Sequence, residues 1–157
     1  MNLEARQIGV ISDTHGLLRP AALEALAGSE LIIHAGDIGK PEVLTELGRI
    51  APVVAVRGNN DRAQWAEPLP EKTVVSVGGV KIYLLHILPE LTINPAEEGI
   101  RVVISGHSHK PLITYRQNVL YLNPGSAGPR RFKLPISVAL LHLKGDEIEP
   151  QLLELPV

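Results

Sequence analysis

The sequence predicts an α/β fold: two packed mixed β-sheets flanked by helices, in a single domain spanning residues 1–157. Three observations carry that expectation. The first part of the chain alternates short β-branched runs with amphipathic segments, the pattern of parallel strands joined by helices. Beyond residue 73 the helical segments give way to β runs paired around two-residue turns. Apolar runs in both parts end in Asp, Asn or His, and the stretch VVISGHSHKP (102–111) is the clearest case. There a β-branched strand stops at Gly106, and His107 and His109 follow on a tight turn. Parallel sheets keep their ligands just past the carboxyl ends of their strands.

Taken in order, Ile8 to Ile11 is a first strand running into Ser12-Asp13-Thr14-His15-Gly16. Pro20 suits the first position of a helix, AALEALA continues it, and Gly28 stops it. Leu31 to His34 is the second strand, followed by Ala35-Gly36-Asp37. Pro41 opens a second helix whose Val43, Leu44, Leu47 and Ile50 share one face, as packing on a sheet requires. Pro52 ends it, and Val53 to Val56 leads to Arg57-Gly58-Asn59-Asn60-Asp61. Residues 64–71, with Trp65, Pro68 and Pro70, read as irregular or as a short helix. Thr73 to Val77 and Val80 to Leu85 flank Gly78-Gly79 as a hairpin, and His86 follows directly. Residues 95–98 allow one helical turn before the Val102 strand. Two further hairpins are expected, 112–115 with 119–122 and 136–143 with 148–155, separated by the Asn123-Pro124-Gly125-Ser126 turn.

Composition narrows the function. A chain of 157 residues, 45% hydrophobic and 20% charged, buries a substantial core. A net charge of -2 gives no footprint for duplex nucleic acid. The absence of cysteine removes disulfides and thiolate metal sites, and fits a cytoplasmic protein. No basic start followed by an apolar run marks a signal peptide, and no apolar run of about 18 residues marks a membrane helix.

The strand-end groups are Asp13, His15, Asp37, Asn59, His86, His107 and His109. Singly, each reads as a turn former or a cap. Together they form a set of nitrogen and oxygen donors suited to Mn, Fe, Zn, Ni or Co. The set is larger than one four-coordinate zinc uses, so a dinuclear site is expected, its ions roughly 3.5–4 Å apart. His34 lies inside the second strand and reads as a hydrogen-bonded near-core residue or a partner of a ligand. His142 sits in the last hairpin, away from the other donors.

The motifs D-T-H, H-A-G-D, G-N-N-D, the lone His86 and G-H-S-H, in this order, resemble those of the calcineurin-like metallophosphoesterase superfamily. The small size, D-T-H-G, G-H-S-H-K-P and N-P-G-S are most similar to its compact YfcE-type phosphodiesterase family. The resemblance implies a four-layer α/β/β/α sandwich and two divalent ions, Mn foremost. It further implies that Asp13, His15, Asp37 and His109 hold one ion. Asp37, Asn59, His86 and His107 hold the other, with Asp37 as bridge. The chain departs from the pattern in two places. The larger phosphatases carry a His where this chain has Asn60, which cannot act as a general acid. Many members have Gly and His after the lone His, where this chain has Ile87 and Leu88.

A dinuclear-metal-dependent phosphodiesterase is therefore expected, acting on small phosphoesters by in-line attack of a metal-bridging hydroxide. Asp37, Asn59 and His107 are its expected catalytic residues. Two dications against Asp13, Asp37 and the hydroxide leave a formal charge of about +1 to attract phosphate, which a carboxylate in place of Asn59 would cancel. Arg57, Asn60 and Arg130 are candidate substrate contacts; Arg131 reads as a surface charge and Ser108 as a turn residue. Asp61 is open between orienting a ligand imidazole and capping its turn, and Trp65 between filling the core and walling the cleft. The alternatives are a phosphomonoesterase, or a protein-interaction scaffold on the same fold such as one retromer subunit. A metallo-β-lactamase-like hydrolase would need an early H-x-H-x-D-H cluster, which is absent. No membrane partner is expected, and a homo-oligomer is allowed.

Overall fold

The computed structural model describes residues 5–157. Its first sheet has the order β10-β9-β1-β2-β3, built from β1 (Ala5–Ile11), β2 (Leu31–His34), β3 (Val53–Ala55), β9 (Ser137–Lys144) and β10 (Glu147–Glu154). β1, β2 and β3 are parallel; β9 pairs antiparallel with β1, and β10 antiparallel with β9. The second sheet has the order β4-β5-β6-β8-β7, from β4 (Lys72–Val77), β5 (Val80–Leu85), β6 (Ile100–Ile104), β7 (Leu112–Arg116) and β8 (Val119–Asn123). Here β5, β6 and β8 are the parallel strands and β4 and β7 the antiparallel edges. Each sheet thus has a parallel core of three strands, and antiparallel strands complete it.

Period-two alternation on those strands explains the layering. Ile8 and Val10 of β1, Ile33 of β2, Ile82 and Leu84 of β5, Val102 and Ile104 of β6, and Leu141 of β9 meet between the sheets in one buried cluster. Ile11 and Ile32 face the other way, against Ala22 and Leu26 of α1 (Pro20–Leu26) and Val43 and Leu47 of α2 (Pro41–Gly48). Proline opens both helices, where its missing N–H costs nothing. Trp65 packs against this second cluster, which decides for its core-filling role.

The outer face of the second sheet is covered more thinly than the expected helical layer. Tyr83, Leu85, Val103 and Tyr121 pack under Leu88, Leu91 and Ile93, which belong to a one-turn 3₁₀ helix (Leu88–Glu90) and the extended chain after it. Pro89, Pro95 and Gly99 interrupt this stretch too often for an α-helix to propagate. Elsewhere the expected hairpins form, each within a residue or two of its sequence bounds. Leu84 lies wholly buried between the sheets, so Leu84→Ala should cost about 2–5 kcal/mol of stability in urea unfolding. A loss below about 1 kcal/mol would mean that this layer is not the packed core.

Candidate metal centre

All six parallel strands point their carboxyl ends the same way, and the loops beyond them converge. Asp13 and His15 follow β1, Asp37 follows β2, and Asn59 follows β3. From the second sheet, His86 follows β5, and His107 and His109 follow β6. Backbone hydrogen bonds lace these loops together: Asp13 N to Gly36 O at 3.0 Å, His15 N to Asp37 O at 3.0 Å and Gly106 N to His86 O at 3.0 Å. The 124–128 loop closes the back, with Ala127 N on Ser12 O and Ser126 Oγ on Asp13 O.

The side chains divide into two groups that could each hold an ion. Asp13, His15 and His109 offer one ligand atom each within 4.8 Å of one another, and so do Asp37, His86 and His107. Asp37 joins the groups, with Oδ2 3.2 Å from His86 Nε2 and 3.8 Å from His15 Nε2. Asp13 Oδ1 lies 3.3 Å from His109 Nε2 and 3.8 Å from both His15 Nε2 and His86 Nε2. Asn59 and His107 are exposed and His15 partly so, while Asp13, Asp37, His86 and His109 are buried. The open side of the cluster is therefore the one bearing His107 and His15.

Hydrogen bonds leave ligand lone pairs free. Asp13 Oδ2 accepts from Ser12 Oγ (2.6 Å) and His107 N (3.1 Å), whereas Oδ1 is buried without a partner. His86 Nδ1 is 2.7 Å from Ala35 O, and a carbonyl can only accept, so Nδ1 carries the proton and Nε2 keeps its lone pair. His86 Nε2 and His15 Nε2 are likewise buried with no hydrogen-bond partner. Unpaired buried polar atoms are costly, and here they face one another. Divalent cations fit this donor set, which is rich in imidazole and carboxylate and free of thiolate.

The backbone carries the same mark. Eight non-glycine residues among those described have φ between +47° and +70°, and five of them are Asp13, His15, Asp37, His107 and His109. Gln117 and Asn118 owe theirs to a hairpin turn, and Phe132 is the eighth. Left-handed backbone at a side-chain-bearing residue costs energy and gathers where function demands it. Glycine supplies the matching clearance. A Cβ on Gly58 would strike the Asp37 carboxylate and backbone, and one on Gly106 would strike Ser12 Oγ and Asp13 Oδ2.

Charge follows from this packing. Burial pushes the Asp13 and Asp37 carboxyls up, but the neighbouring imidazoles, with Ser12 for Asp13 and the Asn60 N–H for Asp37, outweigh it and hold both below the ordinary 3.8. Burial pulls His86 down, and its contacts with Asp37 and Asp13 raise it overall. The metal-free cluster thus favours a proton on His86 more than an isolated imidazole would.

The structure gives the supporting residues their contacts. Asn60 donates both its backbone N–H and its Nδ2 to Asp37, at 2.9 and 3.1 Å. Asp61 caps its turn rather than orienting an imidazole: it accepts from Gly58 N, Ile38 N and Gly39 N, clamping the loops after β2 and β3. His34 is wholly buried; its Nδ1 accepts from Gly36 N, so Nε2 donates to Thr14 Oγ1, which donates to Ile38 O. Burial lowers its pKa to about 4 and keeps it neutral. Ser108 bonds Asn123 and the Lys110 N–H, as a turn residue does. His142 hydrogen-bonds Gln151, away from the ligand groups. Arg57 pairs with Glu71 at 3.7 Å, and Arg130 donates to Leu134 O. Motif reading finds donors because their residue types are rare; Asn60, Thr14 and Ser12 act through ordinary polar contacts with no spacing of their own.

Comparison with known proteins agrees with this geometry. A model of the calcineurin-like phosphoesterase superfamily domain matches residues 7–146. A probable metallophosphoesterase of Methanothermobacter thermautotrophicus is 36% identical, over 93% of this chain and 91% of its own length. Phosphodiesterase YfcE of Escherichia coli is 28% identical, over 83% and 84% respectively. Among solved structures, Vps29 of Chaetomium thermophilum superposes with a TM-score of 0.78 over 96% of this chain and all of its own, at 19% identity; that likeness is one of fold.

Two outcomes are expected here. Gly58→Ala should weaken Mn2+ binding at least tenfold in calorimetry, whereas Gly48→Ala, which meets nothing, should leave it unchanged; equal affinities would show that the cradle does not depend on the missing Cβ. Proton and cation also compete at His86. Because its folded pKa is raised, protonation stabilises the metal-free fold fully below the unfolded value of 6.5, and that contribution is lost as pH rises through the raised value. The increase in Tm on adding Mn2+ should therefore be larger at pH 8 than at pH 6.5, and an equal increase at both would contradict it.

Proposed function

The chain belongs to the calcineurin-like phosphoesterase superfamily, and on that premise we propose that it is a dinuclear-metal phosphodiesterase acting on small phosphodiesters. The observation that carries this reading is the pair of ligand groups joined at Asp37, with unpartnered lone pairs facing inward and left-handed backbone at five of the donors. In this proposal Asp13, His15, His109 and Asp37 hold one divalent ion, and Asp37, Asn59, His86 and His107 hold the other. Mn2+ is our first choice, with Fe, Zn, Ni or Co as the alternatives, and the cytoplasm is the compartment we assign.

When bound, such ions polarise phosphoryl oxygens and bring the pKa of water from 15.7 towards about 7, giving a nucleophile at neutral pH. The protein's own groups do the remaining work. Asn59 is neutral, so the cleft keeps net positive charge for the diester anion. His107, exposed at the mouth, is the ligand nearest an incoming substrate. Asn60, occupied with Asp37 and unable to donate an acidic proton, leaves the departing alcohol without a general acid. Alcohols that are stable as anions should leave fastest, which favours aryl over simple alkyl diesters. Arg57 and Arg130 would have to abandon Glu71 and the Leu134 carbonyl to meet a phosphate, so we assign phosphate binding to the ions and His107. Intact ligand groups favour this reading over a scaffold on the same fold.

Turnover tests it. Metal-loaded protein should hydrolyse bis(p-nitrophenyl) phosphate, and Asp37→Asn or His107→Ala should lower kcat/KM by at least about a hundredfold, some 2.7 kcal/mol of transition-state stabilisation, with circular dichroism unchanged. Full activity in either variant would overturn the assignment.

A further inference from the structure

One cavity next to the ligand loops is not accounted for by ion binding. It has a volume of about 480 Å³ and is bordered on one side by His107, Ser108 and Lys110, and on the other by Leu88, Leu112 and Tyr121. That is within the roughly 300–1,000 Å³ of small-molecule sites. An engineered apolar cavity of about 150 Å³ takes benzene, so an aromatic ring fits with room to spare.

The chemistry of its wall narrows what can sit there. Two of its polar side chains are already engaged: Asn123 Nδ2 donates to Gly106 O and Ser108 Oγ, Asn123 Oδ1 accepts from Gly125 N, and Ser108 Oγ accepts from Lys110 N. Leu88, Pro89, Pro111 and Leu112 supply the contact surface, and Leu112 is 45% exposed on the edge strand β7. Lys110 adds a cation at the rim.

We propose that this cavity is a substrate subsite that takes an apolar, aromatic arm of the phosphodiester, its phosphate lying against the ligand cluster beyond His107. The inference rests on the phosphodiesterase reading and adds a substrate class to it: diesters with at least one aryl or comparably flat apolar substituent. Hydrolysis then proceeds with ordinary balance. Water adds its oxygen to phosphorus, one P–O bond breaks, the departing oxygen takes up a proton, and an alcohol and a phosphomonoester result. The arm in the cavity adds binding energy; a single methylene in an apolar pocket is already worth about ten- to two-hundredfold in discrimination.

Two diesters that share a leaving group test this directly. Metal-loaded protein is assayed with bis(p-nitrophenyl) phosphate and with methyl p-nitrophenyl phosphate, and the ratio of their kcat/KM values is compared across variants. Leu112→Ser and Leu88→Ser should each lower the ratio about tenfold. Tyr115→Ser, exposed on the same strand but outside the cavity, should not change it. In parallel, metal-free protein titrated with phenylphosphonate should show amide shifts by NMR at residues 105–112 and 120–123. An unchanged ratio, or shifts confined to other parts of the surface, would overturn the subsite while leaving the hydrolase standing. Failure to cleave either diester would remove the phosphodiesterase reading instead, and the NMR map would then decide the cavity alone.

Discussion

Two carboxylates buried in one cleft, each left with an oxygen that faces imidazoles, are the constraint on which the rest of this structure turns. Asp13 is wholly buried and Asp37 nearly so. Isolated charges in such a place are costly to keep ionised. The protein retains them by giving Asp13 the Ser12 hydroxyl and the His107 N–H, by giving Asp37 both donors of Asn60, and by surrounding both with histidines. What remains is an excess of acceptor atoms directed at common points. A cation satisfies that arrangement better than a proton, because one ion can engage lone pairs from several loops together.

The two sheets exist in this form because of that convergence. Each contributes three parallel strands, and parallel strands bring loops to one edge where antiparallel ones would alternate. The interface of Ile8, Val10, Ile33, Leu84, Val102 and Ile104 holds those edges in register, so the distance from Asp37 to His86 is set by core packing across the sheets. The glycines permit the final approach. Gly58 and Gly106 lie where any side chain would displace a carboxylate, and the left-handed donors bend their own chain to face inward. Core stability offsets the local strain, a trade seen at many functional sites.

Much of this was legible in the sequence. β-branched runs punctuated by glycine and proline located nearly every strand, because local propensity and pattern agree along this chain. The six Asp and His side chains that gather into the two groups were legible because Asp and His at strand ends are chemically distinctive. The second outer layer was less so: expecting helices there ignored how densely Pro89, Pro95 and Gly99 interrupt the segment. The contacts of Asn60 with Asp37, of Thr14 with His34, and of Asp61 with the Ile38 and Gly39 amides join residues far apart in the chain, and only the folded geometry reveals them. The aromatic-sized cavity beside His107 is of the same kind, since Leu88, Leu112 and Tyr121 come from three separate elements.

The central claim is that the donors hold two ions. Crystals of Mn2+-loaded protein measured at the manganese absorption edge test it most directly. Two anomalous peaks are expected, one bounded by Asp13, His15 and His109 and the other by Asp37, His86 and His107, with Asp37 touching both. A map with no peak in the cleft, or with a single ion that leaves one of these groups empty at saturating metal, would contradict it.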